Sequence, residues 1–324
     1  MRHTRAAGSI ALMPVTHRLL AVTVAVLWGV NFVAIDAALD QFPPMLAVAL
    51  RFAVIAVPTV LLVPRPRVPV RWLLLYGAGF GTLQFVFLYA GMAAGMPAGL
   101  ASLVLQCSAP FTVLLGALLL REPLRARQVV GIVGAVVGLV VVGRERGAAT
   151  GLAPFLLVVA GGLGWAFGNL GNRLAVAGNR DVKPLHLVLW MSVVPPLPML
   201  AASLVFEGPT AIGDSLATIG SRTGLLAVLG IAYTVLLGTL LGSGLWTALM
   251  ARHPAGRVAP YSMLVPVVGI TAAWLLLDET PTWTELAGSA LVVAGVLWAS
   301  TRGRPLRRER RQESVVSTGS TTGG

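Results

Sequence analysis

Charge is scarce in this sequence. Of 324 residues only 11% are charged, against about 25% in an ordinary soluble domain. There is one cysteine, Cys107, which excludes an intrachain disulfide and a cysteine-built metal centre. Lys183 is the one lysine among 24 basic residues. Several motif strings are missing as well. No GxxxxGK[ST] occurs, so direct drive by ATP through a P-loop is excluded. No HExxH or GxSxG occurs, which removes the usual zinc-hydrolase and nucleophile-elbow signatures. Long polar stretches are missing too: the longest internal loop, 207–223, is too short for a domain. No catalytic residue, cofactor site or metal site is expected.

What fills the chain instead is apolar. Hydrophobic residues make up 56% and mean hydropathy is +0.83. Ten runs read as membrane spans: 19–38, 45–63, 72–93, 97–119, 128–143, 154–174, 185–206, 224–250, 258–277 and 285–301, set against the roughly 20 residues a spanning helix needs. Without water, the backbone must hydrogen-bond within each segment, so runs of this length form helices. The expected fold is an all-α polytopic membrane protein. The first span follows a basic start, but Ala34-Ile-Asp-Ala is a poor cleavage site and more spans follow, so it reads as uncleaved. Translation from Met1 or from Met13 is left open.

The net charge of +12 would elsewhere suggest nucleic acid. Here the basic residues sort by side. With the amino terminus in the cytoplasm, 20 of them fall on the cytoplasmic side and only Arg144, Arg146 and Arg222 on the other. That imbalance is the positive-inside signal, which places both termini in the cytoplasm and accounts for the basicity as topology. The arginine excess over lysine suits a GC-rich bacterium, and hence a multi-pass protein of the inner membrane. The tail, Arg-rich and then Ser/Thr/Gly-rich, has nothing to bury and reads as disordered, its basic half suited to anionic lipid.

The chain also repeats itself. Shifting Pro97–Glu122 by 157 residues lands on Pro254–Glu279, with the Pro-Ala-Gly opening, the Leu triplet and the final Glu coinciding. The same shift carries Gly131 to Gly288 and Gly138 to Gly295. Five spans per half make the second half enter the membrane from the other side, so the repeats are inverted. The division is 1–16 as a cytoplasmic segment, 17–146 as the first repeat (helices 1–5), 152–301 as the second (helices 6–10), and 302–324 as the tail.

Polar residues inside spans are the site candidates. Trp28-Gly-Val-Asn31 in the first span is matched by Trp165-Ala-Phe-Gly-Asn169 in the sixth, where Trp165, Asn169 and Asn172 share one helical stripe. Either these amides glue helices together, or the two helices face a shared midplane cavity. Arg51 costs roughly 2.5–3.5 kcal/mol at a span centre. It fits an ion pair with Asp36, a helix carboxyl end, or an anion contact in the cavity. Gln84, Gln106 (on one face with Ser102) and Tyr261 are further groups able to hydrogen-bond a small polar substrate. Asp36, near its span's end, is the one carboxylate read within a span. Glu122 and Glu279 end the repeated helices and suit pairing with Arg or capping the next helix. Several Gly-xxx-Gly pairs, including Gly134/Gly138, mark close-approach faces, and Pro110 and Pro266 mark kinks at nearly equivalent places.

Trp28-Gly-Val-Asn31-Phe32, Leu50-Arg51-Phe52, Met96–Gln106 and Val258–Gly269 resemble the EamA-type carriers of the drug/metabolite transporter superfamily. Gly95–Gln106, Val258–Gly269 and Leu276-Leu277-Asp278-Glu279 are similar in particular to the branch that exports O-acetylserine and cysteine from bacteria. The resemblance covers about residues 17–301. It implies ten helices in two inverted five-helix EamA-type repeats, with helices 1–4 and 6–9 around the pathway and 5 and 10 outside. It implies alternating access and proton-linked export. The chain departs from that branch at Asp36, where a basic residue is expected. The resulting expectation is a secondary active exporter of small amino-acid-like metabolites, with Trp28, Asn31, Arg51, Gln84, Gln106, Trp165, Asn169 and Tyr261 as substrate-binding residues. An exporter of other metabolites or drugs, a passive channel or scaffold, and an intramembrane enzyme are the alternatives. Expected partners are the small-molecule substrate, protons and membrane lipids but no nucleic acid, with a homodimer left open.

Overall fold

The computed structural model describes residues 13–177, 181–253 and 255–300. Residues 1–12 and the tail beyond 300, on which the readings of the start and the basic tail fall, lie outside the described residues. Among the described residues ten apolar helices follow one another: α1 Val15–Leu39, α2 Pro44–Leu62, α3 Val70–Ala93, α4 Ala98–Leu120, α5 Ala126–Ala148, α6 Ala153–Val176, α7 Pro184–Ala217, α8 Arg222–Arg252, α9 Pro260–Leu277 and α10 Trp283–Ala299. The first nine are long and apolar enough to cross a membrane, and α10 is shorter. No strand occurs among the described residues. Apolar side chains such as Leu61, Leu62, Leu118, Val205, Phe206 and Trp283 are more than 70% exposed, a surface that needs an apolar solvent. This is a multi-pass helical membrane protein.

Local sequence explains where the helices start and bend. Pro44, Pro154 and Pro184 sit in first turns, where a missing N–H costs nothing. Inside a helix the same residue releases the carbonyl four positions back. In both α4 and α9 a tight 3₁₀ turn precedes the proline: Leu105–Cys107 before Pro110, and Ala259–Met263 before Pro266. Pro266 thereby frees the Ser262 carbonyl, which takes a bond from Gln106 Nε2 at 3.4 Å. The turn 192–195, with its prolines following, interrupts α7. The stretch 207–223, expected to be a loop, is helical over Gly208–Ala217, a fresh start after Gly208 turns the chain at φ 86°. The fifth helix likewise outruns its expected end at 143: Arg146 continues it and pairs with Glu285 of α10 at 2.5 Å.

Packing crosses the two halves. Helix α1 lies against α8 and α9, while α6 lies against α3 and α4. Helices α5 and α10 form one tight pair, and the repeat glycines make it. A methyl group added at Gly138 would stand 2.6 Å from the Gly288 carbonyl oxygen, and one at Gly131 would stand 2.5 Å from that of Gly295. The expected Gly134/Gly138 face lies on this contact. A methyl at Gly134 would meet Gly295 Cα at 3.7 Å, an ordinary contact, whereas Gly131 and Gly138, seven apart and so on one helix face, leave space for none.

Candidate functional site

The 157-residue shift extends further back than Pro97. It carries Gly81-Thr82-Leu83 to Gly238-Thr239-Leu240, and the structure gives both places the same backbone. Gly77–Leu83 of α3 and Thr234–Gly242 of α8 are widened π-helical segments. In each, the threonine hydroxyl donates to the carbonyl five residues back: Thr82 to Gly77 at 3.3 Å and Thr239 to Thr234 at 2.8 Å. Such segments are rare and are found mostly at functional sites. Each receives the tryptophan of the opposite half's first helix. Trp28 donates Nε1–H to the Gly238 carbonyl at 2.9 Å, and Trp165 packs edge-on to Phe80 with ring centroids 5.8 Å apart.

The α8 segment is a notch cut by glycine. A Cβ at Gly238 would stand 2.6 Å from Asn31 Oδ1, and one at Gly242 would stand 2.7 Å from Trp28 Nε1. Beside this notch lies Arg51, only 5% exposed. Its Nη2 donates to Thr239 Oγ1 at 3.1 Å and its Nη1 to the Tyr89 hydroxyl at 3.4 Å. The guanidinium carbon lies 4.0 Å from the Phe85 ring centroid and 5.4 Å from that of Phe52. Because the Thr239 proton goes to Thr234, its lone pair faces the cation. Aromatic contacts then run from Phe85 through Phe80 to Trp165.

Among the described residues no carboxylate lies within ion-pair distance of Arg51; the expected pairing with Asp36 is not formed. Three buried polar atoms on α1, α2 and α3 lack a hydrogen-bond partner among the described residues: Asn31 Oδ1, Arg51 Nε and Gln84 Oε1. Each such atom forgoes hydrogen bonds that water would give, at a cost of about 1–3 kcal/mol. Arg51 at Thr239 and Asn31 at the adjacent Gly238 thus leave a cation and an acceptor open on neighbouring residues of the notch.

The structure thus gathers Trp28, Asn31 and Arg51 at the α8 notch, joins Trp165 to them through the aromatic chain, and buries Gln84 on α3 next to Phe85. It places three expected residues elsewhere. Asn169 Nδ2 donates to Thr112 Oγ1 at 3.1 Å and lines a cavity of about 260 Å³ among α4, α5, α6 and α10. Gln106 is buried and bridges to Ser262, while Ser102 donates to Gly99 O beneath Gly269. Tyr261 packs with Trp246, Leu20 and Leu249 in a separate cluster, linked to the notch by the Trp28–Trp246 contact at 5.2 Å. Thr239, Tyr89 and Phe85 were not anticipated; the repeated Gly-Thr-Leu would have found Thr239.

Asp36 is also not the only carboxylate in a helix. Glu207 in α7 accepts from the Met45 and Leu46 amides at 2.6 and 3.1 Å, capping α2. Glu285, 1% exposed, opens α10 in a reciprocal cap with Thr282.

The fold is that of a helical membrane protein with a buried cation, the helices of each half packed against the other's. The chain belongs to the EamA-like transporter family, whose model matches residues 17–144 and 152–301. It is 42% identical over 294 residues to a "Probable amino-acid metabolite efflux pump" of Salmonella typhimurium, covering 90% of this chain and 97% of that one. A protein of the same description from Escherichia coli K12 is 39% identical over 279 residues, covering 86% and 92%. A "Probable terminal-alkyne amino-acid exporter" of Streptantibioticus cattleyicolor is 26% identical over 214 residues, covering 66% and 68%. A crystal structure with 20% identity and a TM-score of 0.58 covers 89% of this chain and 97% of its own, and so shares the fold.

Proposed function

We propose that the protein is a secondary active exporter of small amino-acid-like metabolites of the O-acetylserine and cysteine type. It works by alternating access in a bacterial inner membrane, through ten spans in two inverted five-helix repeats with both termini cytoplasmic. The single observation that carries this reading is Arg51, a buried guanidinium held by Thr239, Tyr89 and Phe85 with Nε free and, among the described residues, no carboxylate beside it. In the proposed site the substrate carboxylate meets Arg51, and its ammonium meets Asn31 Oδ1 and Gln84 Oε1. Trp28 and Trp165 wall the site from the two halves. The relatives' names support the amino-acid class, and export coupled to the proton gradient is the form of energisation proposed.

Counterflow in proteoliposomes tests the chemistry. Labelled O-acetylserine exchanges against unlabelled O-acetylserine or cysteine, and analogues lacking the carboxylate or the amine fail to exchange. Exchange that tolerates loss of either group would remove the zwitterion site.

A further inference from the structure

Two glutamates remain outside this account. Glu122 and Glu279 end α4 and α9 at positions related by the repeat shift, and the backbone delivers them identically. Arg121 and Asp278, one residue earlier, have φ of 55° and 56° and are the only non-glycine residues with positive φ among the described residues. In both helices the glutamate N–H bonds back six residues at 3.3 Å, Glu122 to Gly116 O and Glu279 to Ala273 O. Left-handed non-glycine residues are strained and persist where the surroundings demand them.

The side chains, however, differ. Glu279 reaches across to the amino end of α4, accepting from the Ala98 amide at 2.7 Å and the Gly99 amide at 2.9 Å. A carboxylate there satisfies two orphan N–H groups and meets the positive end of the helix dipole. It ties α9 to α4 at one end of the bundle. The shift places Ala255 and Gly256, in the helical turn Ala255–Val258 that leads into α9, where Glu122 would make the same tie at the other end. Glu122 instead folds back over Gly116 of its own helix and pairs with Arg173 of α6, both half-exposed. Accordingly the first half of α4 packs on α9, while its second half, Ser108–Leu120, packs on α6.

We propose that Glu279 and Glu122 are alternating latches, each sealing one end of the transport path by capping the amino end of the facing repeat helix. The structure is the state closed at the Glu279 end. In the opposite state Glu122 leaves Arg173 for the amino end of α9, and Glu279 releases α4. Both are positioning residues, since neither touches the central site. This assignment rests on the alternating-access reading above.

Distance measurements on the full chain test it without substrate. In a Cys107→Ala background, spin labels at Ala94→Cys and Thr280→Cys report the Glu279 end, and labels at Leu124→Cys and Ala251→Cys report the Glu122 end. Glu279→Gln keeps the shape but loses the charge and one acceptor. It raises the long-distance population at the Glu279 end about 5-fold, the factor that losing a cap sets. Glu122→Gln moves that end the other way, towards short distances. Arg173→Gln frees Glu122 and shortens distances at the Glu122 end, a result that a merely structural ion pair would not give. Unchanged distances in all three variants, or Glu279→Gln and Glu122→Gln shifting the Glu279 end alike, overturns the latch. Lost transport with unchanged distances also overturns it and leaves the exporter standing.

Discussion

Replacing Arg51 with methionine separates a functional cation from a structural one. Burying the guanidinium costs roughly 2.5–3.5 kcal/mol on insertion scales. Against this stand one charged hydrogen bond to Thr239 at 3.1 Å, about 1.5–3 kcal/mol, and the stack on Phe85 at 4.0 Å, about 2 kcal/mol when desolvated. The Tyr89 bond at 3.4 Å is long and adds little. These terms nearly cancel, so the cation contributes little net stability. Methionine fills a similar volume, packs on Phe52 and Phe85, and leaves Thr239 still donating to Thr234. Buried ionic groups replaced by apolar ones of similar size are often neutral in stability. Arg51→Met is therefore expected to fold, with unfolding free energy within about 1–2 kcal/mol of the parent by that balance, and to lose transport. Thermal unfolding in detergent, followed by tryptophan fluorescence, gives the first quantity, and counterflow gives the second. A folded Arg51→Met protein exchanging at the parental rate would refute the site. A protein that fails to assemble would show that the charge is structural.

Thr239→Val removes the acceptor for Arg51 while keeping the shape. It is expected to weaken substrate affinity about tenfold, the scale of one charged hydrogen bond of about 1.5 kcal/mol, read as a rise in the half-saturating concentration. On one face of α5, Gly138→Ala forces a methyl against the Gly288 carbonyl and is expected to destabilise by about 1–3 kcal/mol. Gly134→Ala, whose methyl meets Gly295 Cα at 3.7 Å, leaves the melting midpoint unchanged and serves as its control. The Glu122 carboxyl is held below its usual range by its hydrogen bond from Arg173. The contact is therefore present above pH 4.5 and is lost only as pH falls further, so label distances at that end stay constant from pH 8 to 5. His253 follows the opposite course in the range that matters. Its pKa is lowered from 6.5 by removal from water and then by His17, Arg257 and Arg252. The unfolded ring takes up a proton first as pH falls below 6.5, so the contact of His17 Nδ1 with His253 Nε2 at 2.6 Å weakens on acidification. Cross-linking between the start of α1 and the end of α8 measures this.

Much of the architecture was legible because lipid leaves the backbone few choices. Apolar runs gave the helices, and the repeat at Pro97–Glu122 anticipated a matched pair, though not the left-handed residues that end both helices. The helix ends were less legible. Glu207 and Glu285 lie in helices because caps and ion pairs with distant residues hold them, and such partners have no local signature. Arg51 stood out by its cost alone, and Trp28 and Asn31 by their repetition. The failures have physical causes too. Asn169 repeats Asn31 in sequence but finds Thr112, because one inserted residue rotates it about 100° around α6. The π-helical segments escaped notice since a widened turn alters hydrogen-bond register without changing composition. Gly-Thr-Leu was nevertheless written twice at the known spacing.

The central claim is that a gradient drives amino-acid metabolites outward through a site centred on Arg51. The most direct measurement is uptake of labelled O-acetylserine and cysteine into inside-out membrane vesicles, with and without a protonophore, for the parent and for Arg51→Met. The account predicts energised accumulation by the parent that collapses with protonophore and is missing in the variant. Accumulation unaffected by Arg51→Met, or no uptake by a folded parent, would contradict it.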